Sequence, residues 1–221
     1  MVNNKFIDLS HVIEDEMTTY KGVPAPVICD YFNHEESRQF YAEGTEFHIG
    51  KIEMVANTGT YLDAPFHRYR DGKDISEIGL AQLAQLDAIL VNATAAHAID
   101  ENYFKHLDVK GKAVLVRTDW ARHWRTDQYF FDHPFLTEGA ASLLRDAGAA
   151  LVGIDSHNID DTSGNARPVH TTLLGANILI VEHLCNLDQI PADRPFRFSA
   201  VPPKVKGFGT FPVRAYAFLS I

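Results

Sequence analysis

Three separated stretches of this 221-residue chain gather the residue types that do chemistry. The first is Asn57-Thr-Gly-Thr-Tyr61-Leu-Asp63-Ala-Pro65-Phe-His67. Gly59 permits a sharp bend and Pro65 fixes φ while removing a donor, so this segment can hold the Asp63 carboxylate in one geometry. The ordinary structural alternative is that Asp63 caps a turn or helix beginning at Ala64-Pro65. The second stretch, Gly153-Ile-Asp155-Ser-His157-Asn-Ile-Asp160-Asp161, follows an apolar run and sits where a strand should end. Loops at strand ends often carry function, although Asp, Ser and Asn are also what solvated turns use. The third joins His170 to Glu182, with Leu173-Leu174-Gly175 and Ile178–Val181 between them. An acid that closes an apolar strand needs a partner, solvent or a cation. Together Asp63, His170 and Glu182 offer one imidazole and two carboxylates, a donor set suited to Zn²⁺ or Mn²⁺ that leaves positions open for water.

Other catalytic signatures are missing. The chain has no G-x-S-x-G elbow, no G-x-x-x-x-G-K-[ST] loop and no His-Glu-x-x-His, and Gly207-Phe-Gly209 lacks the third glycine of a dinucleotide loop.

The elements that must position these residues are mostly strands. Phe6–Leu9 reads as a short strand. Phe47–Val55 reads as a longer one whose alternation shifts near Gly50, predicting a bulge there. The runs Ala88–Val91, Ala113–Val116, Ala150–Ile154 and Asn177–Val181 are compact and apolar, as buried strands are. Thr137–Ala147 reads as a helix, with Thr137 as N-cap and Gly148 at the stop; Ser76–Gln85 is a weaker helical stretch. The expectation is an α/β protein, one domain over residues 1–221, with a β-rich core flanked by helices.

Composition bounds the partners. Twenty Lys and Arg against 29 Asp and Glu give a formal net charge of −9, and no basic run offsets it, which argues against nucleic acid. The apolar runs fall far short of the ~20 residues of a membrane helix. The N-terminal residues carry acids where a signal peptide would be apolar. Cys29 and Cys185 form no CxxC pair and read as small buried hydrophobes in a reducing compartment, so a cytoplasmic location is expected.

The first stretch resembles the HxGTHxDxPxH signature of the cyclase-like metal-dependent hydrolases, the group that includes bacterial kynurenine formamidase and isatin hydrolase. The likeness extends through Ile7-Asp-Leu-Ser-His11, Gly22-Val-Pro24, Val114–Trp120, Trp124, His133-Pro134, Gly153-Ile-Asp155, His170–Leu187 and Pro202–Ala217. It implies a compact fold of the swivelling β/β/α type, a homodimer or homotetramer, and hydrolysis of a small formamide, cyclic amide or lactone by metal-activated water. It further implies that Asp63, His170 and Glu182 are metal ligands and that His67 is the general acid/base or orients the water. Where the motif has its first two histidines, this chain has Asn57 and Tyr61. Neither is an ordinary zinc ligand, so one divalent ion, Zn or Mn, is expected, and the second metal site reads as dismantled.

Tyr61 is free for another role beside Asp63, as proton donor or oxyanion stabiliser. His48 and His157 are spare imidazoles that could approach the altered site. Phe66, Trp120, Trp124 and Phe130 could line the pocket of a planar small-molecule substrate, although aromatics are commonly core. Arg68 and Arg167 could meet a substrate carboxylate or be solvated surface groups. The alternative to a hydrolase is a family member that binds a small molecule and has lost catalysis. Against it stands the retention of Asp63, His67, His170 and Glu182 together, since buried polar groups need partners.

Overall fold

The computed structural model describes residues 5–192 and 194–219. In chain order its strands are β1 (Lys5–Asp8), β2 (Val27–Phe32), β3 (Ile49–Glu53), β4 (Tyr61–Asp63), β5 (Leu86–Asn92), β6 (Ala98–Ile99) and β7 (Ala113–Arg117). They continue with β8 (Phe135–Leu136), β9 (Leu151–Ile154), β10 (Leu179–Glu182), β11 (Phe196–Ser199), β12 (Thr210–Pro212) and β13 (Tyr216–Leu219). The helices are α1 (His34–Ser37), α2 (Glu138–Asp146) and α3 (Pro168–Gly175), with several 3-10 turns between.

Nine strands form one mixed sheet in the order β1-β13-β11-β5-β7-β9-β10-β4-β12. The four apolar runs singled out in the sequence become β5, β7, β9 and β10, which lie side by side and parallel. Strands covered on both faces lose their polar/apolar alternation, which is why these read as continuous hydrophobic runs. Val114, Val116, Val152 and Ile180 face one core, which includes Leu144 of α2 and Leu173 of α3. Leu115, Leu151, Leu179 and Val181 face a second core with Leu62, Phe198 and Ala217.

The helix over 138–146 forms as predicted: the Thr137 hydroxyl accepts from Ala140 N, and Gly148 turns the chain out at φ 77°. Three expectations are corrected. Residues 76–85 form two 3-10 turns, Ile75–Glu77 and Leu80–Gln82, because Gly79 adopts extended backbone between them. The irregularity opposite Gly50 is a bulge in the partner strand, where Tyr31 is the extra residue between Asp30 and Phe32. Cys29 is exposed on that β2–β3 ribbon, whereas Cys185 is buried. The ribbon has little of its own chain against it: all of β3 and the first five residues of β2 are exposed.

No helix among the described residues is long and apolar enough to cross a membrane.

Candidate metal centre

The polar motif around Asp63 builds a strand. β4 lies between β10 and β12, with Asp63 opposite both Ile180 and Thr210, and Tyr61 opposite Glu182. Directly opposed residues point to the same face. Since Ile180 belongs to the helix-side core, Tyr61, Asp63, Glu182 and Thr210 all project toward the side on which α3 sits. α3 then supplies His170. Asp63, His170 and Glu182, up to 119 positions apart in the chain, meet in the interior with exposures of 0%, 5% and 1%. The site stands at the carboxyl ends of the parallel strands β9 and β10.

Asp63 does not cap the following turn. The 3-10 turn Pro65–His67 has Ala64 at its N-cap and no side-chain cap bond. One Asp63 oxygen, Oδ1, accepts from the Thr210 hydroxyl. The same hydroxyl lies 2.9 Å from His67 Nδ1. Thr210 has one hydrogen, which goes to Asp63, so His67 Nδ1 is the donor to Thr210 and Nε2 is left as the acceptor. Gly209 makes this possible: a Cβ there would overlap the His67 backbone.

The other oxygen, Asp63 Oδ2, is buried without any hydrogen-bond partner. It stands 3.6 Å from His170 Nε2, and Glu182 Oε1 stands 3.7 Å from that same nitrogen. Donor atoms around a tetrahedral zinc, each ~2.1 Å from it, are about 3.4 Å apart. The gaps are thus too long for hydrogen bonds and suited to a shared ion. Asp63, His67 and His170 also bring ligand atoms within 4.8 Å of one another. Glu182 is outside that group, so Asp63 and His170 are the pair it shares with the ligand set expected from the sequence.

The surrounding carboxylates favour positive charge at the centre of the cluster. Burial opposes charge on His170, yet Glu182, Asp160 and Asp63 around it push its pKa up to about 10. Burial also disfavours the Asp63 carboxylate, but His67 and His170 outweigh it and hold Asp63 below its ordinary value. Glu182 is pushed up, chiefly by burial.

Tyr61 takes a different place from the one expected. Its hydroxyl donates to Glu182 Oε2 at 2.5 Å, committing its single proton. Tyr20 OH lies 2.7 Å from Tyr61 OH and 3.3 Å from the same carboxylate oxygen. Burial, then the nearby Glu182 charge, raises both phenols well above their usual pKa, so both remain neutral donors. Behind Tyr20, His183 turns the chain at φ 56° directly after Glu182 and spans Tyr20 OH (3.3 Å) and Tyr129 OH (2.8 Å).

Of the spare imidazoles, His48 is held on the exposed ribbon 2.9 Å from Asp30, away from this cluster. His157 is buried and packs its ring against Tyr20 at 4.6 Å. Asn57 is half-buried and lines a cavity of about 420 Å³ with Tyr20, Tyr61, His67, His170 and Glu182. The expected aromatic lining lies elsewhere. Trp120 Nε1 donates to the Tyr129 carbonyl, Trp124 stacks on His11 at 4.0 Å, and Phe130 packs edge-on to His157. Phe66 lies in the turn Pro65–His67 at 37% exposure.

Sequence reasoning passed over Tyr20 and Thr210, whose roles come from pairing partners remote in sequence. It grouped Asp160 with a polar turn. In the structure Asp160 accepts from Val169 N (2.7 Å), His170 N (3.0 Å) and His170 Nδ1 (2.6 Å). Pro168 was the available signal for α3, since proline favours the first helical turn.

This mixed sheet, with an acid–imidazole cluster at its strand ends, is the fold of hydrolases described as metal-dependent. It superposes on a potential metal-dependent hydrolase with cyclase activity at a TM-score of 0.80, with 27% identity over 99% of both chains. Isatin hydrolase A from Ralstonia solanacearum shares the fold at a TM-score of 0.80, with 22% identity over 99% of this chain and 93% of that one. The chain belongs to the putative cyclase family, whose model matches residues 7–161. It is 27% identical to the kynurenine formamidase of Bacillus cereus over 216 residues, 97% of this chain and 98% of that protein.

Proposed function

We propose that the protein is a metal-dependent hydrolase of a small formamide, cyclic amide or lactone, acting on a non-peptide C–N bond as an arylformamidase does, or on the corresponding C–O bond of a lactone. The observation that carries this reading is the buried, unpartnered Asp63 Oδ2 facing His170 Nε2, with Glu182 Oε1 on the same edge of the ring. The curated relative named kynurenine formamidase, aligned over nearly the whole of both chains, supports the reaction class.

Asp63, His170 and Glu182 would hold one divalent ion, zinc or manganese. Such an ion supplies a water acidic enough to attack near neutral pH and polarises the scissile carbonyl. Asp160 accepts from His170 Nδ1 and so presents Nε2 as the nitrogen that would meet the ion. His67, with its proton on Nδ1, uses Nε2 to take a proton from the attacking water and return it to the leaving nitrogen. Tyr61 fixes Glu182 by donating to Oε2, Tyr20 OH stands 3.3 Å from the same oxygen and 2.9 Å from the His157 carbonyl, and Ile159 N donates to Oε1 at 2.7 Å.

A homodimer or homotetramer is supported by the β2–β3 ribbon. A two-stranded ribbon is marginal alone, and this one exposes Ile28 and Ile52 on one face, with Val27 and Ile49 also exposed. A cytoplasmic location is supported by two unpaired cysteines.

Elemental analysis of protein purified without chelator tests the reading. About one zinc or manganese ion per chain, lost in Asp63→Ala together with turnover of formanilide, is the expected result. No ion after soaking with Zn²⁺ and Mn²⁺ overturns it.

A further inference from the structure

The mouth of the metal-centre cavity carries two arginines that the reaction scheme does not use. Arg68 and Arg167 line it together with His67, His170 and Glu182. In a chain of net charge −9, six other arginines form ion pairs with carboxylates within 4 Å. Among the described residues Arg68 and Arg167, like Arg70 and Arg122, pair with no carboxylate, and of these four only Arg68 and Arg167 line this cavity.

Both are held in place by neutral groups. Arg167 Nη1 sits among the backbone carbonyls of Asp161 (3.2 Å), Gly164 (2.8 Å) and Ala166 (2.7 Å), and the residue is half-buried. Arg68 Nε donates to the Thr171 hydroxyl at 3.1 Å, and that hydroxyl donates to the Arg167 carbonyl at 2.8 Å. Thr171 therefore ties the two arginines to the first turns of α3, one residue from His170. Their remaining N–H groups have no protein acceptor among the described residues. A guanidinium anchored by one edge, with its other edge free, is pre-organised for a planar anion.

We propose that Arg68 and Arg167 form a carboxylate subsite, so that the substrate is an amide carrying a permanent anionic group. The anion is held at the mouth, and the scissile bond is directed toward Asp63 and His170. The two guanidinium groups fix that orientation: they are the unpaired cations of the cavity lining, whereas Asp63 and Glu182 at the other end would be neutralised by the ion they hold. The assignment rests on the hydrolase reading for turnover but not for binding.

Two measurements on the purified holoprotein test it. Calorimetry with benzoate and with benzamide should show benzoate binding at least tenfold tighter. Arg68→Gln and Arg167→Gln should each reduce that preference, and the double variant should erase it. Arg167→Lys, which keeps the charge without the fork, should retain part of it and controls for loss of the carbonyl anchor. With turnover, the ratio of kcat/KM for 2-formamidobenzoate to that for formanilide should fall at least tenfold in the double variant. Equal binding of benzoate and benzamide, or a preference that survives the double variant, overturns the subsite. Variants that alter only inhibition by product assign the arginines to a newly formed carboxylate and overturn it too. If neither formamide is hydrolysed but the benzoate preference and its loss are intact, the hydrolase reading fails and the subsite stands.

Discussion

Asp160 holds His170 twice, with one carboxylate oxygen accepting from both the His170 backbone N–H at 3.0 Å and its ring Nδ1 at 2.6 Å. Its other oxygen takes Val169 N, so a single buried side chain caps α3 and sets the tautomer of the histidine that faces Asp63. Such a partner orients a ligand and raises its basicity.

Asp160→Ala should weaken metal affinity by about 10- to 100-fold, read by competition with a chromophoric chelator. It should also destabilise the fold by about 1–2 kcal/mol through the lost cap. An unchanged affinity in a folded Asp160→Ala protein would separate the cap from the metal centre.

Tyr61→Phe leaves Glu182 Oε2 with only the longer Tyr20 contact. An under-satisfied buried carboxylate costs about 1–3 kcal/mol, so the urea midpoint should fall. Because Tyr61 is placed as an orienting donor, kcat should drop modestly and its pH profile should keep its shape. Loss of one limb of that profile would instead make Tyr61 the proton donor.

Acid should destabilise the protein through its buried neutral histidines. Burial lowers His11 to about 4 and His157 to about 3, and pushes His183 well below its ordinary value. A histidine whose folded pKa lies below its unfolded value of ~6.5 leaves the unfolded state with more protons as pH falls. Its contribution is intact above pH 6.5 and is lost progressively as pH falls toward 4 and then 3. Asp155, raised by burial to about 6, works the opposite way: its contribution is present at low pH and is lost as pH rises through 6. Urea unfolding at pH 7.5 and 5.0 should show lower stability at 5.0, and His157→Gln should reduce that difference.

Ile28 and Ile52 are directly paired across the β2–β3 ribbon, 39% and 49% exposed. If the ribbon joins copies of the chain, Ile28→Glu/Ile52→Glu should convert the assembly to monomers in light scattering at micromolar concentration. Retention of the wild-type mass would place the interface elsewhere.

Much of this protein was determined by its sequence alone. The four central strands were readable because burial on both faces imposes unbroken apolar runs, and α2 because Thr137 and Gly148 mark its ends locally. Glu182 was readable as an acid that must find a partner because it closes an apolar strand, whereas Asp63 and His170 stood out only through the motif they share with the cyclase family.

The tertiary structure alone decided the rest. β4 has three residues, too few for any periodicity, and it is a strand only because β10 and β12 flank it. That pairing sets Tyr61 against Glu182 and Thr210 against Asp63, which spends the Tyr61 proton on a carboxylate and determines which nitrogen of His67 is free. Trp120, Trp124 and Phe130 had the right chemistry for a pocket wall, but their rings packed on His123, His11 and His157 instead. Hydrogen-bond direction and packing partner depend on which distant segments are brought within 3 or 4 Å, and no local pattern encodes that distance.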